Sequence, residues 1–252
     1  MVATYWYLMI RTAALLAVLA SAVLAQSPRE FDTASIKVYD PKVPPFEACN
    51  YHGDPLMMRM VGCSLKRLII LAYDVKDYQF LSKGPVWMDV DRYMIEARTT
   101  ERATKPEQMR MMQPLLADRF HVQVRWETRS TAVYLLKLAG HGLKLQPAEK
   151  VDHCGEVMVR HGSVQADCVT MDDIAELVEE TLGERPVVNQ TGVSKDSRYQ
   201  IKLEYADAEA GDPALAASLV AALPDQLGLA LKVGKAPLRM LIVDRAERPQ
   251  PN

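Results

Sequence analysis

The sequence predicts an α+β chain of two tandem, pseudo-repeated α-β-β-α-β-β units, each a small sheet covered by two helices. Three observations carry this expectation. The four cysteines fall into two pairs of equal spacing, Cys49/Cys63 and Cys154/Cys168, in "CNYHGDPLMMRMVGC" and "CGEVMVRHGSVQADC". A capped amphipathic helix pattern follows each pair at an offset of 106 residues. Alternating strand patterns, "DRYMIEA" and "SRYQIKL", then recur at the same offset.

The N-terminus is read first. Residues 12–25, "TAALLAVLASAVLA", are apolar and small, follow Arg11 and end in a small-residue cleavage pattern. This predicts a signal peptide over residues 1–25, with Ala20-Ser21-Ala22 as a second cleavage pattern. The preceding "MVATYWYLM" is aromatic where a basic region is expected, so Met9 offers a more conventional start. The competing reading is an uncleaved anchor over residues 5–25, which Arg11 opposes. Both readings place the remaining chain outside the cytoplasm, periplasmic or secreted.

Residues 26–48 are expected to hold a leading strand, with Phe31, Ala34 and Ile36 inward, and a loop. Repeat unit 1 is expected over residues 49–139. Ser64 caps its first helix, whose stripe is Leu65, Leu68, Ile69 and Ala72. Repeat unit 2 is expected over residues 154–246, where Thr170 caps and Met171, Ile174, Ala175 and Val178 form the stripe. After one inserted residue the offset becomes 107, matching Pro106 with Pro213 at the start of a second helix. Strands then pair Phe120, Val122 and Val124 with Leu227, Leu229 and Leu231. "TAVYLLKLA" and "LRMLIVDRA" close the units as separate short strands. Residues 140–153 read as a linker, and residues 247–252 as a flexible tail that its prolines keep out of regular structure.

Composition excludes some functions. A net charge of −2 and scattered Lys and Arg give no footprint for nucleic acid and no polybasic membrane patch. Membrane contact is expected only through an uncleaved N-terminus. In an exported chain an even cysteine count reads first as disulfides, so Cys49, Cys63, Cys154 and Cys168 are expected to staple the two units. His153, Cys154, His161 and Cys168 suit zinc by residue type, but they lack the paired spacings of a tetrahedral site. The methionines at 57, 58, 60, 109, 111 and 112 suit soft-metal binding or, more simply, an adaptable core. No metal or cofactor site is assigned.

The acidic group Asp172, Asp173, Glu176, Glu179 and Glu180 reads as a helix N-terminus plus the solvated face of that helix. His121, between Phe120 and Val122, is expected on the polar face of a strand. Residues 84–87, "GPVW", are expected to pack a turn, leaving Trp87 as a candidate anchor. Trp87, His121 and Trp126 are the groove candidates. No G-x-S-x-G, H-E-x-x-H or P-loop motif is present.

"FDTASIKV", "SLKRLIILAYDV", "GPVWMDVDRYMIEA", "LLADRFHVQVRWETRSTAVYLLKLAGHGLKL", "RPVVNQTG" and the closing "LPDQLGLALKVGKAPLRMLIVDRAERPQPN" together resemble an exported family of unknown function expanded in acidobacteria such as Solibacter. The resemblance covers residues 29–252. It departs at "VVNQTGV", where an Asp and a Leu are expected, and at Trp126, where a His is common. Some relatives join this domain to a membrane metallopeptidase or sensor module, which implies an envelope context. Each half also resembles the short N-terminal domain of secretins and TonB-dependent receptors, at the level of fold alone.

The resulting expectation is a non-catalytic extracytoplasmic binding, sensing or scaffolding module. Its partner would be an envelope protein or a small ligand, held in a groove between the units. The alternative is a cell-envelope hydrolase with a site between the two repeats, using His121 and the Asp173/Glu176 face.

Overall fold

The computed structural model describes residues 29–40, 42, 49–148, 154, 157–160, 162–183, 185–208 and 212–249. The signal or anchor segment, His153, His161 and residues 250–252 lie outside these.

The first half runs β1 (Thr33–Val38), the hairpin β2 (Asn50–Asp54) and β3 (Met57–Ser64), α1 (Leu65–Tyr73), a 3-10 turn (Asp77–Gln79), β4 (Phe80–Ser82), the single turn α2 (Trp87–Val90), β5 (Arg92–Arg98), α3 (Lys105–Phe120) and the long β6 (Gln123–Leu138). The second runs β7 (Gln146–Pro147), the hairpin β8 (Val157–Arg160) and β9 (Ser163–Val169), α4 (Met171–Leu182), β10 (Val187–Asn189), β11 (Tyr199–Glu204), α5 (Pro213–Ala222), a π turn (Leu223–Leu227) and the long β12 (Leu229–Arg245). The chain is a mixed α+β protein with several sheets and five described α-helices.

Two compact units result. The first holds described residues up to 75, 82–124 and 243–249; the second holds 76–81 and 125–242. These ends differ from the sequence boundaries because β6 and β12 each contribute residues to both units.

In the first unit a sheet of order β1-β5-β3-β2 is antiparallel throughout. Met58 pairs with Ala97 and Met60 with Ile95 across β3 and β5, and all four are buried. Ser64 caps α1 by accepting from the Arg67 amide, and Leu65, Leu68, Ile69 and Ala72 are buried as the stripe requires. Thr104 and Glu107 form a capping box on α3, whose buried face is Gln108, Met111, Met112, Leu116 and Phe120. Each large apolar side chain so buried contributes about 1.5–3 kcal/mol. Met58, Met60, Met111 and Met112 are thus core filler between sheet and helix. β1 occupies the place of the expected leading strand; Ile36 is buried and Ala34 half-buried, as is Phe31 just before the strand.

In the second unit β7-β11-β9-β8 form one sheet and β10-β6-β12-β4 another. Thr170 caps α4 in a box with Asp173, and Met171, Ile174, Ala175, Val178 and Leu182 are buried. They join Val164, Ala166, Ile201 and Leu203 of the sheet and Leu219 and Leu223 of the α5 segment in one core.

The structure closes Cys49–Cys63 and Cys154–Cys168 as disulfides, each across the base of a hairpin. Cys63 and Cys168 are buried, while Cys49 is half-buried and Cys154 exposed.

Four sequence expectations need correction. The consecutive short strands predicted after each second helix are single strands, β6 and β12, lying side by side. Residues 126–131, "WETRST", contain no Gly, Pro, Asn or Asp, and in β12 Gly234 and Pro237 do not interrupt the strand. His121 is not in a strand: it is the left-handed cap of α3, at φ 49°, and donates its amide to the Leu116 carbonyl. Leu227 likewise ends the π turn. The segment read as a linker is stitched down as β7 on β11, with the Lys144 amide donating to the Leu227 carbonyl.

Candidate functional site

Three constellations of polar and aromatic groups stand out among the described residues. The first lies in unit 1, where Glu247 and Arg248 follow β12. The Glu247 amide donates to the Phe120 carbonyl at 2.7 Å, and its carboxylate lies 3.7 Å from His121 Nδ1. Arg248 pairs with Asp91 at 2.8 Å and stacks 5.3 Å from the Trp87 ring centroid. Below, Tyr93 meets Phe120 edge-to-face at 5.0 Å; burial and then the Asp91 charge push its hydroxyl up to about 12. Two of the sequence candidates, Trp87 and His121, therefore contact neighbouring residues of one tail segment. Trp126 belongs to unit 2, stacked by Arg239 at 4.0 Å. His121 has only a carboxylate partner, and no nucleophile is hydrogen-bonded to it among the described residues.

The second constellation is the Lys76 cluster. Glu179 was expected on a solvated helix face, but its side chain is 12% exposed. It accepts from Lys76 Nζ at 2.6 Å, the Tyr78 hydroxyl at 3.3 Å and the Val187 amide at 2.8 Å. The covering segment, residues 76–79, comes from far away in sequence, so helix periodicity could not show it. Glu176 adds a second carboxylate 3.0 Å from Lys76 and stays half-exposed. Partial burial pulls the Lys76 ammonium down, but the hydrogen bonds and charges of Glu179 and Glu176 outweigh it and leave it above its ordinary value. Burial and the Glu179 charge push Tyr78 up to about 12. Asp173, the other acidic candidate, accepts from both the amide and hydroxyl of Thr170. These are structural uses of charge.

The third is a cleft of about 380 Å³ in unit 2, bounded by β8, α4, α5 and the segment after β11. Val159, Leu177 and Leu215 supply apolar walls, Tyr205 a ring, and Arg160, Glu180 and Asp207 a charged rim. Val159 pairs across the hairpin with buried Val164, which puts it on the core face of the sheet. It is nevertheless 61% exposed. Thr181, also in the lining, donates its hydroxyl to the Leu177 carbonyl, and no His or Cys is among the described lining residues. The arrangement suits binding of an apolar group, and its described lining residues provide no nucleophile–base pair. The sequence reading missed this cleft. Aligned on their cysteines, the matched stretches set Tyr51 and Gly53 opposite Glu156 and Met158; only the strand ladder sets Val157 and Val159 in their places.

Among the described residues no group of three or more His, Cys, Asp or Glu is placed to hold a metal ion. Cys154 and Cys168 are joined to each other, so neither offers a thiolate to zinc. No described helix is long and apolar enough to cross a membrane. Two disulfides fit an oxidising, extracytoplasmic compartment.

A family model matches residues 66–246. The chain belongs to the family described as protein of unknown function DUF3738. The matched DUF3738 region contains the Lys76 cluster, the cleft and the second disulfide, while the first disulfide precedes it. No curated protein and no solved structure matches the chain. The resemblance seen in the sequence motifs is thereby shown at the level of the family. In the DUF3738 region Asn189, where an Asp was expected, accepts from the Thr191 amide and hydroxyl and donates to Asp172 Oδ1 at 2.8 Å.

Proposed function

We propose that this DUF3738 protein is an exported, non-catalytic binding module built by duplication of one disulfide-stapled unit. The observation that carries the binding reading is the unit 2 cleft: a core-face position, Val159, left uncovered beside apolar walls, with no nucleophile–base pair among its described lining residues. Duplication is supported by strand register. Met57↔Arg98, Met58↔Ala97, Met60↔Ile95 and Cys63↔Tyr93 in unit 1 correspond to Ser163↔Glu204, Val164↔Leu203, Ala166↔Ile201 and Val169↔Tyr199 in unit 2. The Thr99 amide donates to the Leu56 carbonyl as the Tyr205 amide does to Gly162. Helix caps and strand register share an offset of 106 residues and the hairpin disulfides one of 105, a combination that fits chance poorly. Export is supported by the N-terminal pattern and the two disulfides.

The test combines cell fractionation and intact-mass analysis with a panel of chromogenic ester, peptide and glycoside substrates. The expected result is an envelope or extracellular chain with both disulfides closed and no turnover. A cytoplasmic chain with four free thiols, or turnover abolished by His121→Ala, would overturn the proposal.

A further inference from the structure

The two units differ where the cleft lies, and the difference indicates what fills it. In unit 1 the matching place is plugged by Tyr51 of β2. A Cβ built on Gly53 would lie 2.7 Å from the Tyr51 hydroxyl oxygen, so the ring runs along its own strand over that glycine. Its hydroxyl donates to Gln108 Oε1 at 2.8 Å, and Gln108 Nε2 donates to the Asp54 carbonyl at 2.7 Å. Lys105 sits 4.9 Å from the ring centroid. In unit 2 every part of this plug is changed. Val157 stands for Tyr51, Val159 for Gly53, Leu215 for Gln108 and Asp212 for Lys105. Tyr51 pairs with Met60 and Val157 with Ala166, the same place in the ladder. The ring and its clamp are gone, and a cavity of about 380 Å³ stands instead.

We infer that the unit 2 cleft receives a phenylalanine side chain from an extended segment of a partner polypeptide, which adds to β8 as a further strand. This deepens the binding reading above and rests on it. An aromatic ring is the group that the sister unit places at this site. Phenylalanine is preferred to tyrosine because Leu215 offers no acceptor in place of Gln108. The β8 strand is the outer strand of its sheet, and among the described residues its ladder partner is β9 alone. Main-chain bonds along its other edge would hold the segment, and the cleft beside Val159 would select the side chain. Met158, 51% exposed on the opposite face of β8, would pack against the segment's neighbouring side chain.

The test uses the isotope-labelled mature chain with both disulfides closed. The probes are the capped pentapeptide acetyl-Thr-Val-Phe-Val-Lys-amide and the same peptide with Ala or Tyr in place of Phe. The Phe peptide is expected to shift the amide signals of Val159, Thr181 and Ala208. The Ala peptide should bind at least about tenfold more weakly, with Tyr in between. Plugging the cleft with the unit 1 residues, Val157→Tyr, Val159→Gly and Leu215→Gln together, should abolish those shifts while leaving the unit 1 spectrum intact. Leu215→Trp serves as an independent plug should the triple variant not fold. Equal binding of the Ala peptide, shifts confined to other surfaces, or unchanged binding by a plugged variant would each overturn the inference. So would dimerisation of the free chain that the plug dissolves, because the occupant would then be a second copy. An envelope partner that still binds the plugged chain sinks this inference and leaves the binding-module proposal standing. Turnover lost on His121→Ala sinks that proposal instead.

Discussion

Replacing Glu179 by Ala should be the most damaging single charge removal in unit 2. The side chain is nearly covered and makes three bonds: to Lys76 at 2.6 Å, to the Val187 amide at 2.8 Å and to the Tyr78 hydroxyl at 3.3 Å. A charge-assisted bond contributes about 1.5–3 kcal/mol net, and a buried amide left without its acceptor costs about 1–3 kcal/mol. Lys76 is 37% exposed and keeps Glu176, so its share is discounted for solvent screening. The sum is about 3 kcal/mol. For a chain of this size that lowers Tm by about 6–12 °C. Glu176→Ala removes a carboxylate that is 54% exposed and should cost about 0.5 kcal/mol. Urea denaturation of both variants, followed by tryptophan fluorescence, measures the difference. If Glu179→Ala and Glu176→Ala lose the same stability, the carboxylate is solvated and the cluster is not a structural lock. The same cluster sets an alkaline limit. The folded Tyr78 hydroxyl titrates at about 12 against an ordinary 10.0, so its contribution is complete below pH 10.0 and disappears as pH rises through about 12. Lys76, also raised, acts in the same direction. Tyr78→Phe should flatten that alkaline loss in part, since Tyr93 in unit 1 behaves likewise.

Three further outcomes are expected. Glu127, bonded by Arg129 and Arg125, is held down to about 2, so its carboxylate signal should titrate there by NMR. It should move toward the ordinary 4.5 in Arg129→Ala; its stabilising effect is present above 4.5 and is lost as pH falls through about 2. Asn189→Asp would set a carboxylate against Asp172 in place of a donor, costing about 1 kcal/mol at neutral pH, and the loss should shrink in acid melts where the carboxylates protonate. Gly228→Ala should cost at least about 2 kcal/mol in thermal melts, because φ is +69° and the Gly142 carbonyl fills the space where a Cβ would stand. Wild-type stability in that variant would mean that residues 139–144 are not held on the π turn.

Local pattern carried part of this structure into view. The stripe Leu65-Leu68-Ile69-Ala72 and its copy Met171-Ile174-Ala175-Val178 were readable because a helix buries one face, and Ser64 and Thr170 because free amides need acceptors. Equal cysteine spacing announced two staples, and the structure pairs each within its own hairpin. Where neighbours decide, the reading failed. The α3 helix runs on to Phe120 and forces His121 into a left-handed cap, overriding an apparent Phe120-Val122-Val124 alternation. The two predicted pairs of short strands merged into β6 and β12, because ladder bonds to a neighbouring strand outweigh weak turn signals.

Sequence by itself determined the α+β class, the capped helices and the stapled hairpins, since each depends on contacts within a few turns of chain. Only the tertiary structure decided that Glu179 lies under residues 76–79 and that Trp87 and Trp126 each carry an arginine. It alone showed that Tyr51 plugs one unit while the other stays open. Burial and charge pairing are properties of what folds against a residue, and that partner lies far along the chain.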